Sequence, residues 1–219
     1  MTVTVVVGAQ RGDEGNGRVV DYLAVRADMA IRFPGGDNAG HTVVNDYGRF
    51  ALHLIPCGIF SPSVRCLLGA GTVINLDTLE FWIDLRAHLI WPYHRLLDGA
   101  EEDRRRGKAR GAGSAPRAQA QGDESIGTTR RGIGPVYADK HAYNGIRAGD
   151  LHDPLRRRLE LLLPLKKREL AYYGLQQFTV DELMHLAEAW REVHGRPHPL
   201  RLGRPRALAD DRWSRGKRP

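Results

Sequence analysis

Val3-Thr4-Val5-Val6-Val7 runs straight into Gly8-Ala9-Gln10-Arg11-Gly12-Asp13-Glu14-Gly15-Asn16-Gly17-Arg18, and the chain continues as Val19-Val20-Asp21-Tyr22-Leu23. The β-branched run reads as a short buried strand over residues 2–8. Val19, Val20, Leu23 and Ala24 follow helical spacing, which predicts a helix over 15–26. A strand, a glycine loop and a helix start make a phosphate cradle, because backbone N–H groups point outward there and the helix dipole favours negative charge. Gly12 to Gly17 keeps the G-x-x-x-x-G spacing of a Walker A loop, yet Arg18 and Val19 stand where that loop carries Lys and Ser/Thr. Glycines that only supply tight backbone angles would give the same composition.

A second loop, Arg32-Phe33-Pro34-Gly35-Gly36-Asp37-Asn38-Ala39-Gly40-His41-Thr42, follows the short apolar stretch Met29-Ala30-Ile31. Its glycines let backbone approach a ligand closely, Asn38 can read a base edge, and His41 can move a proton near neutral pH. Further elements follow from pattern. Residues 43–45 and 50–54 read as a hairpin around Asp46-Tyr47-Gly48. Residues 66–68 read as a strand, 77–82 as a helix start, and 83–90 as ambiguous, with His88 and His94 in an apolar helix-like stretch. Residues 93–108 read as a helix, 109–136 as a long loop, and 154–167 and 179–194 as helices. Thr179 caps the last of these, with Glu182 three residues on. The pattern is α/β, with the glycine loops at strand ends.

Four stretches carry a family resemblance. They are Gly12-Asp13-Glu14-Gly15, Gly35-Gly36-Asp37-Asn38-Ala39-Gly40-His41-Thr42, His53-Leu54-Ile55-Pro56-Cys57-Gly58-Ile59, and Ile126-Gly127-Thr128-Thr129-Arg130-Arg131-Gly132-Ile133-Gly134-Pro135-Val136-Tyr137-Ala138-Asp139-Lys140. In order and spacing they closely resemble adenylosuccinate synthetase, up to about Trp190. The resemblance implies a P-loop-NTPase-like, mostly parallel sheet flanked by helices, incomplete relative to the family. It also implies GTP- and magnesium-dependent joining of IMP and L-aspartate through 6-phosphoryl-IMP, in purine biosynthesis. Carried over by motif match, Asp13 is the general base and His41 the acid, and Asp13 and the Gly40 carbonyl hold magnesium. GTP falls to Gly12, Asp13, Glu14, Gly15, Asn16, Gly17, Arg18, Gly40, His41 and Thr42. IMP falls to Asp13, Glu14, Gly15, Asn16, Asn38, Ala39, Gly40, His41, Thr129, Arg131 and Tyr143. The family's homodimer is implied as well. These residue types suit phosphoryl transfer, which rests on positioning and on stabilising spreading negative charge.

The chain also departs from that family. Asn16 stands where the resemblance places a phosphate-facing lysine. Tyr143 replaces an arginine that reaches the partner's IMP phosphate, and tyrosine cannot form a bidentate charged fork. Arg130 replaces a glycine, which costs on the order of 1 kcal/mol if that position needs positive φ. Only six residues separate Leu79 from Arg86, too few for the helix–strand unit expected there. The later family motifs, with the aspartate loop and the guanine-reading segment, have no counterpart in the sequence. A second reading is therefore a catalytically inactive nucleotide-binding remnant, or a fragment of a disrupted reading frame.

Composition sets the remaining expectations. The 219 residues carry a net charge of +7, but 196–219 hold eight Lys/Arg against two Asp/Glu, leaving about +1 for 1–195. This predicts a family-like domain over 1–195, with a flexible insert at 109–125, and a basic disordered tail over 196–219. With the charge confined to the tail, a nucleic-acid partner is not expected. Cys57 and Cys66 show no metal or disulfide spacing and read as small core residues. No apolar run approaches membrane-spanning length, and no signal pattern opens the chain, so a cytoplasmic protein without a membrane partner is expected.

Overall fold

The computed structural model describes residues 2–9, 14–45, 48–78, 83–107, 125–152 and 154–194. Ten main elements follow in chain order. They are α1 (Asn16–Ala24), β1 (Met29–Gly35), β2 (His41–Asn45), β3 (Gly48–Leu52), β4 (Arg65–Ile74), β5 (His88–Leu89), α2 (Pro92–Arg105), α3 (Ile133–His141), α4 (Leu155–Tyr172) and α5 (Val180–His194). The sheet is parallel, in the order β1-β4-β5, and β2 and β3 form the expected antiparallel hairpin beside it. The α/β expectation holds, with helices packed against a short parallel sheet.

The β1–β4 ladder runs in register from Met29↔Arg65 to Arg32↔Leu68, then slips to Pro34↔Gly71. Pro34 has no N–H to give the ladder. The slip is made possible by Gly71, where a Cβ would lie 2.0 Å from the Phe33 carbonyl oxygen. Tyr137 of α3 stitches the irregularity. Its hydroxyl accepts from Gly35 N and donates to Gly71 O, each at 2.8 Å.

One core joins sheet and helices. Leu68 and Ile74 of β4, Leu89 of β5, Tyr93 and Leu97 of α2, Leu155, Leu159 and Leu170 of α4, and Leu183 of α5 are all buried in it. Each fully buried large apolar side chain contributes roughly 1.5–3 kcal/mol. Trp190 of α5 packs on Trp91 at 4.9 Å between ring centroids, and its indole N–H donates to Asp77 at 2.8 Å. The start of α5 is capped as the sequence predicts. Glu182 N donates to Thr179 Oγ1 at 3.2 Å, while the Glu182 carboxylate accepts from Thr179 N at 2.7 Å.

Several expectations need correction. Residues 2–8 do not form a strand, and Val3, Val5 and Val7 are 74%, 63% and 65% exposed. Alternation and β-branching favour an extended chain, but a strand also needs a neighbour for its N–H and C=O groups. Among the described residues no strand lies against this run. The loop expected over 109–136 ends earlier, because α3 begins at Ile133 behind Gly132, whose φ of 80° no periodicity reveals. His88 lies in β5 rather than on a helix; of the helix start expected over 77–82, residues 77 and 78 lie in a 3-10 turn, Leu76–Thr78, and 79–82 lie outside the described residues. The tail and nearly all of the insert lie outside the described residues. No described helix is long and apolar enough to cross a membrane.

His88 carries a pH signature. Burial, then Lys140 and Arg147, with Arg158 also near and Asp150 opposing, hold its pKa down to about 4. An unfolded histidine titrates near 6.5, so the unfolded chain binds the proton first. Stability should be complete above about pH 6.5 and fall as pH drops toward 4. Denaturant midpoints of wild type and His88→Gln across this range check it, and the variant's profile should be flatter.

Candidate nucleotide-phosphate site

Gly15, with φ 77°, turns the chain into α1, so that Asn16 opens the helix. Such a left-handed turn is easy only for glycine. Gly17 then lies against the start of β2, where a Cβ would fall 2.8 Å from His41 Cβ and 3.2 Å from Cys57 Sγ. The lack of a side chain at 17 therefore sets the helix start directly on His41. A Cβ at Gly8 would meet the Glu14 carboxylate at 2.7 Å and the Asn16 amide nitrogen at 2.9 Å. The first glycine of the loop thus lies beneath two of the predicted ligand residues. Glu14, Gly15, Arg18 and Tyr22 line an open cleft of about 590 Å³. Burial, and next the Arg32 charge, hold the His41 pKa below its usual value, so the imidazole is neutral at pH 7.

Arg32 and His53 fix the second loop. The Arg32 guanidinium donates to the carbonyls of His53 at 2.9 Å and Gly36 at 3.4 Å. His53 Nδ1 bonds the Ala39 carbonyl at 2.8 Å and must be the donor, since a carbonyl only accepts. His53 thus braces the loop that carries Asn38, Ala39 and Gly40. Among the described residues nothing lies within 4 Å of a Cβ built at Gly40.

Across the sheet end, Asn38 and Thr129 line one cavity of about 880 Å³, together with Asp98, Thr128, Asp139 and Lys166. Arg131 donates to the Asp37 carbonyl and lies 4.0 Å from its carboxylate. Asp37 is buried, and one of its carboxylate oxygens has no hydrogen-bond partner. Arg130 does occupy a left-handed conformation, φ 57°, so its replacement of glycine carries the expected strain; an exposed ion pair to Asp103 at 2.5 Å offsets part of it.

The structure therefore joins Gly17 with His41, and Asn38 with Thr129. The α1 cleft and the Asn38–Thr129 cavity share no lining residue. Tyr143 follows α3 with φ 60°, is 90% exposed and lines neither. Gly12 and Asp13 lie outside the described residues. Burial pushes the thiols of Cys57 and Cys66 up to about 11 and about 12; Cys57 is buried as expected of a core residue, while Cys66 is only partly buried. Sequence reasoning passed over Asp98 and Glu102, both buried on α2 one turn apart. The available signal was an i, i+4 pair of acids on the helix face that also carries Leu97.

The adenylosuccinate synthetase family model matches residues 5–197. The chain belongs to this family. An adenylosuccinate synthetase of Dehalococcoides mccartyi (strain CBDB1) is 46% identical over 208 residues, covering 87% of this chain and 45% of the relative. Adenylosuccinate synthetase 1 of Methanosarcina acetivorans is 43% identical over 211 residues, 89% of this chain and 46% of that one. The chain thus spans under half the length of these curated relatives. The structure of fully ligated adenylosuccinate synthetase from Plasmodium falciparum superposes with a TM-score of 0.67 at 29% identity. That match covers 85% of this chain and 43% of that one.

Proposed function

We propose that this chain carries the purine- and phosphate-handling part of a GTP-dependent ligation of IMP and L-aspartate to adenylosuccinate, in AMP synthesis in the cytoplasm. The observation that carries the reading is the placement of Asn38 and Thr129, far apart in sequence, on one cavity. In this reading Asp13 takes the proton from the purine ring nitrogen, so that the ring oxygen attacks the γ-phosphate of GTP. Neutral His41 holds a proton toward the transferring phosphoryl group, where donated hydrogen bonds stabilise spreading charge. Glu14, Gly15, Asn16, Gly17, Arg18, Gly40 and Thr42 cradle the nucleotide phosphates. Asn38, Ala39, Thr129 and Arg131 hold IMP. Tyr143, exposed on the surface, reaches a second copy in a homodimer.

Magnesium fits the donors. Among the described residues no three His, Cys, Asp or Glu side chains converge on an ion. Magnesium needs only one or two protein oxygens beside phosphates and water. The Asp13 carboxylate and the Gly40 carbonyl would supply them, and the ion would neutralise phosphate charge.

A second reading, a nucleotide-binding but inactive chain, is favoured by the exposed Val3, Val5 and Val7, which pair with no strand among the described residues, just ahead of the loop that carries Asp13. Phosphate release from GTP with magnesium, IMP and aspartate separates the two. The ligase reading expects release that needs aspartate and disappears in Asp13→Ala. Absence of release from folded protein that binds IMP, persisting in the Asn16→Lys/Tyr143→Arg double variant, leaves the second reading standing.

A further inference from the structure

The loop from 125 to 132 is held from below by two buried carboxylates of α2. Glu102, fully buried, accepts from Gly127 N at 2.8 Å and Ile126 N at 3.3 Å, and Asp98 accepts from Gly132 N at 2.9 Å. Gly127, Arg130 and Gly132 all have positive φ, at 67°, 57° and 80°. At Gly132 a Cβ would lie 2.9 Å from His94 Cβ and 3.0 Å from Arg95 N, so the loop backbone touches α2 itself. Between these two anchor points the N–H groups of Thr128, Thr129, Arg130 and Arg131 have no partner among the described residues. The Thr128 hydroxyl oxygen is also buried without a partner. Successive free N–H groups in a turn are an anion-binding arrangement.

Carboxylates beneath an anion cradle do not attract the anion, and Glu102 is itself paired with Arg106 at 3.1 Å, so their contribution is geometric. We infer that Asp98 and Glu102 are positioning residues: they occupy the N–H groups at both ends of the loop and leave those between directed at the IMP phosphate. The inference rests on the reading of this loop as an IMP loop. Its physical basis is that a rigid supporting contact holds donors where the ligand needs them, and loosening it costs binding.

The test pairs amide hydrogen exchange of the ligand-free protein with calorimetric IMP titration, on Glu102→Ala, Glu102→Gln, Asp98→Ala and Asp98→Asn. Glu102→Ala should speed exchange at Gly127, and Asp98→Ala at Gly132, by about tenfold, and each should weaken IMP by about tenfold. The conservative variants keep an acceptor oxygen and should each lose about threefold, confined to their own amide. They carry the test should the alanine variants fail to fold. Unchanged exchange at Gly127 and Gly132 overturns the inference, as does faster exchange with undiminished IMP affinity. Wild type that binds no IMP overturns the IMP reading instead, while exchange still decides whether the carboxylates hold the loop.

Discussion

Gly71→Ala is expected to unfold the β1–β4 ladder or to cost about 3 kcal/mol or more, the upper end for overpacking. A Cβ at 71 would lie 2.0 Å from the Phe33 carbonyl oxygen and 3.1 Å from its carbon. Both are backbone atoms, so no side-chain rotation relieves the collision. The register slip at Pro34 must move, and the Tyr137 hydroxyl would lose its bridge between Gly35 and Gly71. Total stabilities of single domains are roughly 5–15 kcal/mol, so one such change removes much of the margin. Urea denaturation followed by circular dichroism measures it. A variant within 1 kcal/mol of wild type, to within about 10–15% extrapolation error, would mean the ladder is not packed as described.

Asp139→Ala is expected to cost about 3–5 kcal/mol at neutral pH, the usual loss when a buried pair is broken from one side. The Asp139 carboxylate accepts from His94 Nε2 at 2.9 Å and from Lys166 Nζ at 2.6 Å, all three side chains being buried. His94 Nδ1 accepts from Trp91 N at 2.9 Å, so its proton is on Nε2. Burial keeps the His94 pKa low, so the ring is a neutral donor. Removal of the carboxylate leaves that N–H without an acceptor and Lys166 with only Glu169 at 2.9 Å. Burial alone would raise the Asp139 pKa, but the hydrogen bonds from His94 and Lys166 outweigh it and hold the pKa below its usual value. The unfolded carboxyl titrates near 4, so this contribution is complete above about pH 4 and lost as the pH falls further. The deficit of the variant should narrow in acid, which urea midpoints at neutral and acid pH would show.

What could be read from the sequence was what repeats locally. Helical periods placed α2 and α5, Thr179 and Glu182 marked a cap that forms, and the runs on either side of 46–48 marked a hairpin whose strands are β2 and β3. The run at 3–7 has every local feature of a strand and forms none, because strand formation depends on a neighbour that local pattern does not encode. The site divides in the same way. Gly17, Asn38, His41 and Thr129 stood out by motif. Asp98 and Glu102 did not, because a buried acid that accepts distant backbone N–H groups looks locally like any polar position on an amphipathic helix. The role of Gly71 was likewise invisible, since it is defined by the carbonyl of a strand nearly forty residues away.

The most direct test is a thermal melt of the chain with and without IMP. A ligand that binds only the folded state stabilises it by RT ln(1 + [L]/Kd), about 2.7 kcal/mol at a hundredfold excess over Kd. The account predicts a cooperative transition whose Tm rises by roughly 5–10 °C at that excess for a domain of this size, with the rise lost in Asn38→Ala and Thr129→Ala. A cooperative transition that IMP does not move would contradict it, because Asn38 and Thr129 would then share a cavity that does not take the purine nucleotide.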